Sequence, residues 1–492
     1  MKNWMTALAR RYEETRRRYP DDKLMILFDI DGTILDMRYM MLYVLKAYDR
    51  EHGSGCFADL DVEEIDIHEN QLEEFLTRRG LPASERERLL KWYEKNRWAP
   101  SAVMESHRPF RGVLEVIRWF QIQPETYVGL NTGRPEFLRE DTLRSLNALA
   151  AEYRVEFKSE LLFMNPSNWD HDIVQAKVAG VRRFEAEGYR VVAFIDNEPA
   201  NLKAVAEADQ EKKVLLLHAD TLFESHPRHI PAHSVSGKEY ALSALVSERQ
   251  LPRHVQFVWQ GVNDAANLRQ FLASNIRWGE MDVRLDPRNG SLALRGEVFP
   301  DPLPEDETGQ DCFEDYLSAF LKQDKSLQID LQDASCLDAV IDAVESAGFS
   351  EQRLCFKVEL HRLEEKGIRL LAAAFPQAGL QCSIDFLAPM FVASPEEAGK
   401  FLKRLGVWGV NRFGVTWPLA RQRGLLDRIQ GWGYQVGVEE VPDLEAFLQA
   451  TLLLPDAIAS DFNFPQWCYY GQGAGRRHRY EAVAGGATGS LL

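Results

Sequence analysis

Residues 24–36 read LMILFDIDGTILD. The first part, LMILFDI (24–30), is apolar without the alternation of a half-wetted strand and stops at an Asp-Gly pair, so it predicts a buried strand feeding a tight turn. Similar runs follow at 126–131 (TYVGLN), 191–195 (VVAFI) and 213–217 (KVLLL), with helical patterns between them. Strands alternating with amphipathic helices imply a parallel sheet with right-handed crossovers, an α/β architecture. Upstream, Trp4, Leu8 and Tyr12 recur at helical spacing while Arg10, Arg11 and Arg16 to Arg18 fall mostly elsewhere, which predicts an amphipathic helix packed on this unit.

Between the first two strands, residues 37–105 carry no strand signal and read as several charged helices, including ERERLLKWYEK at 85–95. A helical insertion at that point sits above the C-terminal ends of the strands, as a lid. From 219 to 252 the pattern weakens into His, Pro and Ser around one helix-like stretch, ALSALVSERQL, which places a domain boundary near 250 and divides the chain into 1–250 and 251–492. The second part repeats a strand-then-helix rhythm, with apolar runs near 255–259, 278–284, 326–331, 353–359, 380–386, 408–415, 433–438 and 456–460. Eight βα units in about 250 residues are the size and count of a TIM-type (β/α)8 barrel, whose chemistry sits at the C-terminal ends of the strands.

At 492 residues the chain is long enough for two to four domains. Its 75 acidic against 58 basic residues leave a formal charge of −17, which repels phosphate backbones and anionic lipid headgroups and argues against nucleic acid as a partner. Six cysteines lie far apart with no C-x-x-C pair, as reduced thiols do in a cytosol. No stretch reaches the 18 or so apolar residues that span a bilayer, and the opening turns charged before a secretory core can form. The expectation is a soluble cytoplasmic protein without membrane insertion.

Asp29 and Asp31 close the first strand two residues apart, so both carboxylates can address one substrate. One carboxylate can attack phosphorus while its neighbour gives a proton to the leaving oxygen and later takes one from water. The second strand ends in LNTGRP, where Thr132 and the backbone N–H groups of Gly133 and Arg134 suit phosphoryl oxygens. Lys177, in KVAGVRRFEAEG, can neutralise both carboxylate and phosphoryl group, and a third strand ends in FIDNEPANL with Asp196, Asn197 and Asn201. Asp196 beside Asp29 makes an oxygen-rich site for Mg²⁺. Each piece alone is an ordinary turn, loop or surface lysine; their order, each at a strand end, is what indicates a site.

Residues of about 20 to 220 thereby resemble the haloacid dehalogenase (HAD) superfamily of phosphatases, with DIDGT, NTGRP and FIDNEPANL in the places of its motifs I, II and IV and PFRGVLEVIRWF (109–120) similar to its helix before motif II. The resemblance implies a Rossmann-like sheet with a helical C1 cap at about 37–105, Asp29 as the nucleophile forming an aspartyl-phosphate, and Asp31 as general acid/base. It implies Thr132 as phosphate binder, Lys177 as the motif III lysine with Lys158 as rival, and Mg²⁺ held by Asp29, Asp31 through its backbone carbonyl, Asp196 and Asn197. The acidic residue at Asp31 is similar to phosphatases and phosphomutases rather than the ATPases of that superfamily, which implies hydrolysis of a small phosphorylated metabolite. Arg38, Tyr39, Tyr43, Lys46 and Arg97 are candidate substrate readers in the cap.

In the second part, GEMDVRLD places Glu280 and Asp282 on one face at a strand end, and Asp330, Lys357, Glu359, Asp385 and Asp461 end later strands. Glu280, Asp282 and Asp330 form a candidate cation site. This part resembles the glycerophosphodiester phosphodiesterase-like barrels, and their menorin-like relatives more closely, through Glu-x-Asp at 280–282, the strand IDLQ and the closing SDFNFPQW. Where the phosphodiesterases carry His-Arg-Gly and a second histidine, this chain has Gln260-Gly261 and Arg295-Gly296, and neither Gln nor Arg exchanges a proton near neutral pH. His254 and His361, the nearest histidines, precede a strand and begin a helix. The expectation is a barrel that binds ligand or metal, against two alternatives: a non-catalytic sensor or scaffold in both halves, or a bifunctional phosphodiesterase-phosphatase.

Overall fold

The computed structural model describes residues 3–68, 71–166, 172–221, 230–247, 250–286, 289–294, 312–462 and 464. The chain divides into two compact units, Met1–Val246 and Ser247–Leu492.

The first unit is built on six parallel strands: β1 (Lys23–Phe28), β2 (Thr126–Pro135), β3 (Leu162–Asn165), β4 (Tyr189–Asp196), β5 (Leu215–Ala219) and β6 (Val235–Gly237). Their spatial order is β3-β2-β1-β4-β5-β6, a doubly wound sheet whose direction of growth reverses between β1 and β4. Leu24 to Phe28 pair with Thr126 to Leu130 on one side, and β4 lies on the other, so β1 is central and all five are buried. That burial on both faces is why the strand reads as a continuous apolar run. On one face Met25 and Leu27 pack with Val178, Phe184, Phe194 and Leu202. The sequence reading did not anticipate β3 and β6, because four and three residues are too few to show a period.

Helix α1 (Trp4–Arg18) buries Trp4, Leu8 and Tyr12, as its spacing predicts. The Trp4 indole donates to the Glu239 carbonyl at 2.6 Å, stacks obliquely on Tyr240, and fills the space a side chain at Gly237 would need. The insertion is helical throughout its named elements: α2 (Met37–His52), α3 (Leu72–Arg78), α4 (Ala83–Asn96) and α5 (Pro100–Ser106), with a short 3₁₀ turn at Val62–Glu64. Asp36 caps α2 by accepting from Arg38 N at 3.1 Å, and Gly53, at φ 63°, ends it in the left-handed conformation that glycine adopts without strain. The remaining helices of the unit that matter for the site are α6 (Val113–Gln121), α7 (Arg139–Ala150), α8 (Ile173–Ala186) and α9 (Pro199–Ala208).

The second unit closes eight parallel strands into a barrel: β7 (Gln256–Trp259), β8 (Trp278–Leu285), β10 (Ser326–Leu331), β11 (Leu354–Val358), β12 (Gly379–Ser383), β13 (Arg412–Thr416), β14 (Gln435–Glu439) and β15 (Ala457–Ser460), with β15 pairing back onto β7. Each of the eight apolar runs holds one strand. The addition is β9 (Leu292–Leu294), a short antiparallel partner of β8. Arg295, Gly296 and the end of SDFNFPQW, Pro465 to Trp467, lie outside the described residues. Among those described, no helix is long and apolar enough to cross a membrane.

Candidate active site

The ends of β1, β2 and β4 and the first turns of α8 and α9 surround a cavity of about 410 Å³. From the sheet side it is lined by Asp29, Asp31, Thr132, Lys177, Asn197 and Asn201, and from the insertion by Met37, His68, Arg97 and Trp98. It lies at the reversal of strand order, where open α/β sheets bind their ligands.

The turn after β1 is fixed by its glycine. Gly32 has φ +76°, and a Cβ there would collide with the Asn197 amide, so only glycine lets the two loops meet. Thr33 and the turn are braced from behind by Tyr240, whose hydroxyl donates to the Thr33 carbonyl at 2.8 Å. On the other side, Asp172 caps α8 by accepting from Val174 N (3.0 Å) and Gln175 N (3.3 Å), which starts the helix that presents Lys177. A side chain at Gly180 would meet Asn131, so glycine allows α8 to approach the end of β2.

Lys177 is the hub. Its ammonium pairs with Asp29, lies 2.9 Å from Asp196 Oδ2 and donates to the Asn131 carbonyl at 2.8 Å, and all three side chains are buried. Lys158 is exposed. Burial opposes the charge on Lys177, but Asp196 and Asp29 hold its pKa above the usual lysine value. Burial pushes the Asp29 carboxyl up to about 8 against the pull of Lys177, with Asp196 and Asp31 adding to the rise. Lys177 alone therefore does not balance Asp29 and Asp196, and a further positive charge would keep Asp29 ionised.

Asn197 marks where such a charge fits. With its amide nitrogen inward it donates to the Asp31 carbonyl at 3.0 Å and to Asp29 Oδ2 at 3.3 Å. With its oxygen inward, Asn197 would instead complete an all-oxygen set with those two atoms, and such a set suits a hard divalent ion. Asp196 is held by Asn201 Nδ2 at 3.1 Å and by Glu198 N at 2.8 Å, and His218 Nε2 lies 3.1 Å from the Asn197 carbonyl.

Asp31 has its own partner. Arg134 Nε and Nη2 donate to Asp31 Oδ2 and Oδ1 at 2.8 and 2.6 Å. Burial works to raise the Asp31 carboxyl, and the Arg134 guanidinium, helped by His107 and Lys177, more than reverses this, leaving it below the usual carboxylate range. The sequence reading used only the backbone N–H of Arg134, which in the structure donates to Thr132 Oγ1 at 3.2 Å. It missed His107, whose ring is buried against Arg134 and Ser145. Of the proposed cap readers, Arg97 lines the cavity; Arg38 is paired with Asp36, and Tyr43 with Glu105. His68, also from the insertion, reaches Glu198 at 3.0 Å across the cavity wall.

In the barrel, Glu280, Asp282 and Asp330 bring carboxylate oxygens within 4.8 Å of one another, all buried. Adjacent strands set them side by side, Asp282 opposite Asp330 and Asp330 opposite Lys357. Lys357 Nζ lies 3.2 Å from Asp330, 3.4 Å from Glu439 and 3.8 Å from Glu280. Glu439, one residue past the predicted apolar run, is the member that sequence reasoning missed. Burial pushes Asp282 and Glu439 up to about 7, their acidic neighbours adding to the rise and Lys357 opposing it. Gln260 and Gln328 each donate to Glu280, at 3.3 and 2.6 Å, while their amide oxygens have no hydrogen-bond partner. Asp385 is not in the cluster; it accepts from Thr416 N and Oγ1. Glu359 pairs with Arg362, and His361 is exposed beside Glu359.

No family model matches the chain, and no curated protein matches it. Among solved structures it is similar to a glycerophosphodiester phosphodiesterase from Agrobacterium tumefaciens (15% identity, covering 42% of this chain and 96% of that one, TM-score 0.31). It is also similar to a glycerophosphoryl diester phosphodiesterase from Parabacteroides distasonis (12%, 42% and 83%, 0.33) and to a HAD family hydrolase from Deinococcus radiodurans (16%, 44% and 93%, 0.29).

Proposed function

We propose that the first unit is a Mg²⁺-dependent phosphomonoester hydrolase of the HAD type, working through an aspartyl-phosphate, on a small phosphorylated metabolite. The observation that carries the reading is the convergence of Asp29, Asp31, Thr132 and Lys177 on one cavity at the strand-order reversal. The Asp29 carboxylate attacks phosphorus, and the bond to the leaving oxygen breaks as that oxygen takes a proton from Asp31, which must enter this step protonated against the pull of Arg134. Asp31 then takes a proton from water, whose oxygen attacks the phosphorus and frees Asp29. Thr132 and Lys177 hold the phosphoryl oxygens, and the insertion excludes bulk water. Asp29, the Asp31 carbonyl, Asp196 and Asn197 would hold Mg²⁺, which when bound offsets phosphoryl negative charge.

In the barrel, the proposed role is binding without phosphodiester hydrolysis, with Glu280, Asp282 and Asp330 as cation ligands. Gln260, which cannot exchange a proton, supports it. Purified protein should release phosphate from a member of a metabolite panel when Mg²⁺ is added, beryllium fluoride should block that release, and Asp29→Asn should abolish it. An Asp29→Asn protein with full activity would overturn the assignment.

A further inference from the structure

Arg134 is buried at 1% exposure, and its guanidinium is used on every side. Beyond the two bonds to Asp31, Nη1 donates to Thr142 Oγ1 at 3.0 Å and Nη2 lies 3.3 Å from His107 Nε2. His107 Nδ1 lies 2.8 Å from Ser145 Oγ, which donates to the Val103 carbonyl at 2.9 Å. The Trp98 ring covers the guanidinium, with its centroid 4.8 Å from Arg134 Cζ. Two of these supports, Trp98 and Val103, come from the insertion; Thr142 and Ser145 come from α7.

Two parallel N–H···O bonds fix the plane of a carboxylate as well as its position, which one bond or a lysine cannot do. A group that shuttles a proton must point at the oxygen that receives it, and a misplacement of about 1 Å costs on the order of 100-fold in rate. We propose that Arg134 is a positioning residue, aiming the Asp31 carboxylate at the leaving-group oxygen, and that Trp98 carries the seating of the helical insertion to it. The inference rests on the reading of Asp29 as nucleophile and Asp31 as acid/base.

The test uses the full-length chain and two esters, p-nitrophenyl phosphate and a simple alkyl phosphomonoester. Nitrophenolate leaves without a proton and an alkoxide does not, so an aimed acid matters to the second far more than to the first. Arg134→Gln should lose about 100-fold in kcat on the alkyl ester and much less on the aryl ester, with Arg134→Lys between it and the wild type. Trp98→Leu, at a partly buried position, should shift the ratio in the same direction by a smaller factor, and it carries the test if Arg134→Gln does not fold. Equal losses on both esters, as a purely structural role produces, or no loss at all, would overturn the inference. If Asp29→Asn is inactive while the ratio stays fixed, only this inference fails; if Asp29→Asn keeps its activity, the underlying reading fails with it.

Discussion

The two units bury clusters of acids at strand ends and compensate them differently. In the first, Lys177 serves Asp29 and Asp196, and Arg134 serves Asp31 alone. In the barrel, one ammonium, Lys357, faces Asp330, Glu439 and Glu280, with Arg362 at the edge 4.0 Å from Asp330. The first arrangement separates roles, because Asp29 and Asp31 have different partners and proton affinities shifted in opposite directions. The second shares one cation among several acids and sets the Gln260 and Gln328 carboxamides against Glu280. This contrast is the reason the proposed reading gives catalysis to the first cluster and cation binding to the second.

Four measurements can break or sharpen this contrast. The largest effect belongs to Asp29→Asn, expected to lower phosphate release by more than about 1,000-fold, since the nucleophile has no substitute. Next, Lys357→Met leaves the barrel acids without their shared cation and should lower stability by about 3–5 kcal/mol in denaturant unfolding of the full chain. An unchanged midpoint would mean that the cluster does not depend on Lys357.

The third concerns His107, whose pKa is pushed down to about 3 by burial and by Arg134. A histidine that takes a proton more readily unfolded, near 6.5, than folded contributes stability that is present above 6.5 and is lost as pH falls toward 3. That loss should be on the order of a few kcal/mol, and His107→Gln should flatten it; parallel pH profiles for the two proteins would remove His107 from the account. The smallest is Glu280→Gln, which should weaken one of two Mn²⁺ sites by about tenfold in calorimetry, while Asp196→Asn should weaken the other. A single site lost with Asp196→Asn alone would leave the barrel without a cation.

The architecture was legible where burial forces a pattern. Leu24 to Phe28, covered on both faces, are apolar throughout and stand out, and the barrel strands show by their strand-then-helix rhythm, whereas LFMN at 162–165 and VSG at 235–237 are too short to carry a signal. Asp29, Asp31, Thr132, Asp196 and Asn197 could be grouped from sequence because each closely follows an apolar run, and the first three line one cavity with Asn197 and Lys177. The Arg134 network could not: its links to Asp31 and His107 span 103 and 27 residues, and nothing local marks a buried arginine as the partner of one acid rather than another. Glu439 was hidden for a similar reason, standing beside Glu440 with no periodicity to separate the inward carboxylate from its neighbour.

The hold of Trp4 on the Glu239 carbonyl joins residues 235 positions apart. On a ribosome, helix α1 is synthesised long before its seat; at roughly 5–20 residues per second, it waits on the order of 10–50 s for Gly237 and Tyr240 to emerge. Through that interval Trp4 and Leu8 lack their final cover, so the nascent chain offers a greasy handle to chaperones. The brace behind the Thr33 turn closes only when translation has passed the last strand of the sheet.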